Sequence, residues 1–235
     1  VKRWRIAKEL LETDGSYVKN MKECVDLFVK PMERLVGKEE CERVFDGVAD
    51  VTKVSEAFFE RLQQALGRNA REYHLSRHLA ECFLQANELK VYGRFINNFA
   101  VCNQRLGELR AQQDNRLLWA LLNSCGPTKY SIPDYLIQPI QRLPRYVLLL
   151  GDYARAMTKW NKHEQEIKSA QAMMVKLTSE FNELKRYTED LTRVANLAAE
   201  FGRQWRSEAI KVDWSRNVLV RKEGSVRKVT FGGNY

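Results

Sequence analysis

YLIQPIQRLPRYVLLL, residues 135–150, decides how the rest of the chain is read. Just ahead of it, Ser131 and Asp134 have capping-box spacing, and Pro133 falls in the first turn, where its missing N–H costs little. Pro139 and Pro144 follow in what still reads as helix. Each would cost roughly 3 kcal/mol in a helix interior. Gln138, Gln141, Arg142 and Arg145 recur at i, i+3, i+4 and i+7, which is one face. Tyr135, Leu136, Ile140, Leu143, Tyr146, Val147 and Leu150 take most of the remainder. The pattern predicts a largely buried, bent helix with one narrow polar and basic stripe. On periodicity alone, that is a core helix with a solvated edge.

Helical periodicity extends outward in both directions. Residues 2–30 carry Ile6, Leu10, Tyr17, Met21, Cys24, Val25 and Phe28 on one stripe, with Asp14-Gly15 as a weak point and Pro31 as an end or kink. A second pattern runs from Lys38 to Leu66. A third runs from Leu75 to Ser124, with Gly93 and Gly107 as candidate divisions and Cys125-Gly126-Pro127 as its stop. From Trp160 to Phe201 there is no Gly or Pro, and Ile167, Ala170, Met174, Leu177, Phe181 and Leu184 mark a stripe on a rod of roughly 60 Å. Gly202 is read as its end. Beyond it Val218, Val220, Val226, Val229 and Phe231 flank Glu223-Gly224 in a β-hairpin pattern. The predicted fold is all-α: an elongated bundle of five to six long helices over residues 1–202, then a linker and a short β-hairpin over 203–235 that opens a truncated second domain.

Composition bounds the function. The net charge is +9, unevenly spread: residues 1–200 hold 31 basic and 27 acidic residues, whereas 201–235 hold 8 and 3. A local basic excess points to an anionic partner. Five widely spaced cysteines without a CxxC pair read as reduced thiols of a cytosolic protein. No apolar run is long enough to span a bilayer, and no signal core follows the basic start. The missing initiator Met suggests an excised domain. Tryptophans are scattered and read as core or domain-junction residues.

Catalytic constellations are sparse. No GxGxxG, GxxxxGK[ST] or GxSxG occurs. His74, His78 and Cys82 have the spacing to put three zinc ligands on one helix face, but no Glu lies between the histidines and no fourth ligand is evident. No cofactor or metal is implied. A helical surface that binds another protein fits better than covalent or acid–base catalysis. Nucleic-acid binding is disfavoured because basic and aromatic residues do not interleave along one face.

The central stretch resembles the third conserved region of Dbl-homology domains, the exchange modules for Rho-family GTPases, whose pattern is close to L-I-x-P-x-Q-R-x-x-R/K-Y-x-L-L-L. Glu9-Leu-Leu-Glu-Thr-Asp-Gly-Ser-Tyr17-Val18 is similar to the family's opening E-L-L-x-T-E-x-x-Y-V, departing at Asp14. Phe181-Asn182-Glu183 resembles the Asn-bearing segment of the final helix. VLVRKEGSVRKVTF resembles the first hairpin of the pleckstrin-homology domain that ordinarily follows.

The resemblance implies a guanine-nucleotide exchange factor without covalent chemistry. Such a domain binds the GTPase, reshapes its two switch loops, disturbs the Mg²⁺ site and releases GDP for GTP loading. Position by position, Glu9 is implied to contact the first switch, with Thr13 one turn on, and Arg145 and Asn182 the second. Gln138, Gln141 and Arg142 belong to the same surface, and Ile137 packs where Rho-type and Rac-type GTPases differ, leaning towards Rac-type. Arg216, Arg221, Lys222, Arg227 and Lys228 imply phosphoinositide membrane, hence a cytoplasmic protein recruited peripherally. Two other readings stay open. One is a non-catalytic helical scaffold or membrane-binding module with the same fold, favoured by Asp14-Gly15. The other is a zinc enzyme built on His74, His78 and Cys82.

Overall fold

The computed structural model describes residues 2–67, 72–112, 114–157 and 162–204, the side chains at 72–73 and 187–204 excepted. Regular structure among the described residues is entirely helical. Helix α1 (Lys2–Cys24) passes through one wide turn, Val25–Val29, into α2 (Lys30–Val36). In that turn the Lys30 N–H bonds the Val25 carbonyl, one residue further back than in an α-helix. Pro31 has no N–H to offer the turn before it, and the widened turn accommodates that loss, so the helix continues past the proline.

The expected Lys38–Leu66 helix is two helices, α3 (Lys38–Phe45) and α4 (Val48–Leu66). Gly47 between them has φ +75°, a left-handed conformation that favours glycine, and a Cβ there would sit 3.3 Å from the Phe95 Cβ. The long region that follows also divides, though not at Gly93 or Gly107. Helix α5 (Glu72–Leu84) is followed by a 3₁₀ turn, Asn87–Val91, then α6 (Tyr92–Ala111) and α7 (Arg116–Leu122). Asn115 caps α7, its Oδ1 accepting the Leu118 N–H at 3.1 Å. Both glycines lie inside α6. Gly93 is there because Phe181 packs on it: an added Cβ would lie 2.8 Å from the Phe181 Cε1.

Helices α8 (Ile132–Leu136), α9 (Gln138–Arg155) and α10 (Glu164–Gln204) complete the described chain. Helix α10 runs through Gly202 rather than ending there. The expected hairpin, with Arg216, Arg221, Lys222, Arg227 and Lys228, lies outside the described residues.

The chain forms two compact units, residues 1–182 and 183–235. In the first, α1 packs against α4 and α9, α4 against α5, and α3 against α6. The apolar stripes read from sequence largely face the core: Leu10, Tyr17, Met21, Cys24 and Phe28 of α1 are buried, as are Phe58 and Leu62 of α4 and Ile167, Ala170 and Met174 of α10, whereas Leu184, expected on the same α10 stripe, is exposed. Phe58, Phe83 and Tyr146 meet edge to face, with ring centroids 5.2 to 5.5 Å apart, joining α4, α5 and α9. For Trp4 and Trp119, read as core or domain-junction residues, exposure removes the first alternative. They are 41% and 42% exposed and are not core residues.

Candidate functional site

The site is built on α1 and α9. Ahead of α9, the Asp134 Oδ2 accepts the Ser131 N–H at 2.8 Å and the Ser131 hydroxyl at 2.5 Å, so the expected capping box starts α8. These hydrogen bonds hold the Asp134 carboxyl below its usual pKa. Ile137 separates α8 from α9 but keeps helical backbone angles (φ −76°, ψ −22°), and its N–H bonds the Pro133 carbonyl at 3.1 Å while its carbonyl accepts the Gln141 N–H at 3.2 Å, so the backbone stays helical between the two segments. Pro139 falls in the first turn of α9, where it has no intrahelical bond to lose, and only Pro144 is truly interior. Pro144 is exposed.

Along α9, Gln141 and Arg145 are exposed, and Gln138 and the preceding Ile137 are partly so. Gln138 is tied at both ends of its amide: Nε2 donates to the Asp134 carbonyl at 3.1 Å, and Oε1 accepts from the Asn20 Nδ2 of α1 at 3.0 Å. The Arg145 Nη2 lies 3.2 Å from the Glu9 Oε1, and each side chain is about half exposed (49% and 52%). The first and third motifs, 136 residues apart in sequence, thus meet as one surface ion pair. Asn182 is exposed on α10 and makes no hydrogen bond to either of them. Leu148, 67% exposed and one turn beyond Arg145, is an apolar side chain on the exposed side of α9 that the sequence reading did not single out.

Arg142 corrects the expected stripe. It is 4% exposed and points inward. Its Nε donates to the Asp14 Oδ1 at 2.8 Å, its Nη2 lies 2.7 Å from the same oxygen, and its Nη1 donates to the Thr13 hydroxyl at 3.2 Å. The Thr13 hydroxyl in turn donates to the Leu10 carbonyl at 3.2 Å, so its polar bonds lie within the domain. The Tyr146 hydroxyl donates to the same Asp14 oxygen at 2.5 Å, and the guanidinium stacks 4.5 Å from the Tyr146 ring centre. The Asp14 Oδ2 is buried with no hydrogen-bond partner among the described residues.

Burial raises the Asp14 carboxyl above its usual pKa, and the charge of Arg142 opposes that rise. The Tyr146 hydroxyl is pushed well above 10, by burial first and the Asp14 charge second. Asp14 was legible after all. With Leu10, Tyr17 and Met21 it keeps the 4-3-4 spacing of the apolar stripe, and a carboxylate in that register demands a buried cation. Gly15 beside it is also a packing residue, since an added Cβ would lie 2.9 Å from the Phe59 Cζ.

His74 and His78 stack on each other, ring centres 5.9 Å apart, and the buried Cys82 thiol faces the Arg61 carbonyl at 3.8 Å. Among the described residues no group of three or more His, Cys, Asp or Glu is arranged to hold a metal ion.

Helices α1 and α9, which carry two of the sequence motifs, pack side by side in an all-α unit. Its fold is that of solved exchange-factor structures. The linker-DH/PH domains of p115-RhoGEF superpose with a TM-score of 0.72 at 22% identity, covering 83% of this chain and 60% of that one. The PDZ-RhoGEF DH/PH domains, solved with GTPγS-activated RhoA, give 0.73 at 18% identity, covering 83% and 56%. The RhoGEF domain family matches residues 6–182, and the chain belongs to that family. Relatives include mouse Protein ECT2 (26% identical, 84% of this chain, 22% of that protein) and mouse Rho guanine nucleotide exchange factor TIAM2 (28%, 79% and 12%). Guanine exchange factor for Rac 30 of Dictyostelium discoideum is 27% identical over 83% of this chain and 12% of its own length. The chain therefore spans less than a quarter of each of these relatives.

Proposed function

We propose that the chain is a guanine-nucleotide exchange factor for Rho-family GTPases, engaging both switch loops through Glu9, Ile137, Gln138, Gln141, Arg145 and Asn182. The observation that carries this reading is the meeting of Glu9 and Arg145 across α1 and α9 within a RhoGEF domain. Acceleration requires that the surface bind the nucleotide-free GTPase more tightly than the GDP-loaded one; equal affinity for both would release nothing. The reaction needs no nucleophile from this chain. It is catalysis by differential binding, with the GTPase as substrate.

Rac-type GTPases are the favoured partners. Ile137 supports this, as does the Dictyostelium relative, whose name specifies Rac. One aliphatic side chain contributes about 1–3 kcal/mol of discrimination, so the preference is graded rather than absolute. The basic segment from Arg216 to Lys228 supports recruitment from the cytoplasm to phosphoinositide membrane as part of a pleckstrin-homology domain, with the helical domain taken as 1–202.

Glu9→Ala and Asn182→Ala are each expected to lower release of fluorescent GDP more than tenfold while shifting the melting temperature by under about 3 °C, as for ordinary surface substitutions. Full activity in both would remove the site assignment. Sedimentation with phosphoinositide-containing liposomes separates the scaffold reading, which expects lipid binding without GDP release.

A further inference from the structure

The docking pair does not stand alone. Glu9 and Arg145 form one connection between α1 and α9; Asp14 and Arg142 form a second, one to two turns away and wholly buried. On both helices the two connections are separated by a short, rigid span of helix: five residues on α1 and three on α9. We infer that the buried Asp14–Arg142–Tyr146 cluster is a positioning device for the GTPase-docking face, fixing the axial register of α9 against α1 so that Arg145 is presented beside Glu9. The inference rests on the exchange-factor reading for its catalytic consequence, but its geometric content is independent of it.

Three observations support a positioning role over simple core packing. The cluster is directional: Asp14 Oδ1 takes all the hydrogen bonds from Arg142 Nε and Tyr146, and its second oxygen takes none. Such a half-satisfied buried ion pair is a poor source of stability, because apolar residues of similar volume usually serve as well or better. It does specify register, since sliding α9 by one turn would leave two charges buried and unpaired. Finally, the cluster lies directly beneath the face it is inferred to hold. Thr13 and Arg142 are joined at 3.2 Å, and Thr13 is one turn from Glu9.

The test separates register from stability. In the triple variant Asp14→Leu/Arg142→Met/Tyr146→Phe the cluster becomes apolar without orphaning a hydroxyl. Its melting temperature is expected to be unchanged or raised, while GDP release falls at least tenfold. As a control, Leu62→Ala on α4 is expected to melt lower yet keep its rate within twofold when assayed well below its melting point. A triple variant with the wild-type rate overturns the inference, as do rates that merely follow melting temperature in both variants. Should the triple not fold, Asp14→Asn keeps the shape but leaves Arg142 unpaired, so it is expected to melt lower and is read by rate alone: assayed well below its melting point with the folded fraction checked by circular dichroism, a loss of at least tenfold against the Leu62→Ala control supports the inference and a wild-type rate overturns it.

A second readout needs no GTPase. Nitroxide labels at exposed positions 12 and 148, in a Cys125→Ser background, report the α1–α9 separation by pulsed electron resonance. One narrow distance is expected for the parent and a shifted or broadened one for the triple; identical distributions overturn the inference. If the parent chain releases no GDP from any GTPase but the distances still shift, the exchange reading fails and the positioning role stands.

Discussion

At the residue scale the decisive side chain is Arg142, whose charge serves the interior rather than the surface. Its i, i+3, i+4 relation to Gln138, Gln141 and Arg145 placed it on the polar stripe, but it lies at the edge of that stripe, and a long flexible side chain can bend inward from there. Removing it alone strands Asp14. Arg142→Ala is therefore expected to destabilise by about 3–5 kcal/mol in urea unfolding, against under about 0.5 kcal/mol for Gln141→Ala on the exposed side of the same helix. Within the cluster only Asp14 titrates in acid, since Tyr17, Tyr92 and Tyr146 are all raised above 10 by burial and Arg142 stays charged. Because its folded pKa is raised, the carboxyl's contribution to stability is full below its ordinary 3.8 and is lost as pH rises through the folded value. The apolar triple variant lacks this loss, so its stability relative to the parent should increase as pH climbs above the ordinary carboxylate value of 3.8 and through the raised folded one; a constant difference would contradict the assignment. The thiols give an independent check on burial. Burial raises Cys24 to about 12 and Cys41 and Cys82 to about 11, and raises Cys102 as well, whereas Cys125 is exposed. Native protein at pH 8 is expected to present one fast-reacting thiol, and five after denaturation.

At the level of elements, glycine shows how the same residue type carries opposite meanings on one helix. Gly107 on α6 has open space where a Cβ would go, so Gly107→Ala should raise stability by about 1 kcal/mol through helix propensity. Gly93, fourteen residues earlier, would drive its Cβ into the Phe181 ring, so Gly93→Ala should destabilise by about 1–3 kcal/mol. Chemical denaturation of the two variants checks the opposite signs. No sequence pattern distinguishes these glycines, because the difference lies in what α10 brings to α6. The same holds for Asp46-Gly47, whose break appears only as a dipeptide inside an otherwise helical stripe. What was legible is local: the Ser131–Asp134 capping box and the apolar stripes of α1, α4 and the first part of α10. What was not legible depends on partners distant in sequence, as for Arg142 with Asp14 and Thr13.

At the scale of the whole molecule, a RhoGEF domain presents an exposed Glu9–Arg145 pair above a buried ionic cluster, and the function proposed for that face is the acceleration of nucleotide release. That claim is thermodynamic before it is kinetic: the surface must favour the nucleotide-free GTPase, and the rate follows from the difference. It is met most directly by following fluorescent GDP leaving Rho-type and Rac-type GTPases, with excess GTP, as the concentration of this chain is raised. Release is expected to accelerate with the chain's concentration, most for a Rac-type GTPase, and Glu9→Ala to abolish most of the acceleration. Release at the intrinsic rate from every GTPase of a broad Rho-family panel, by a chain verified to be folded, would contradict it.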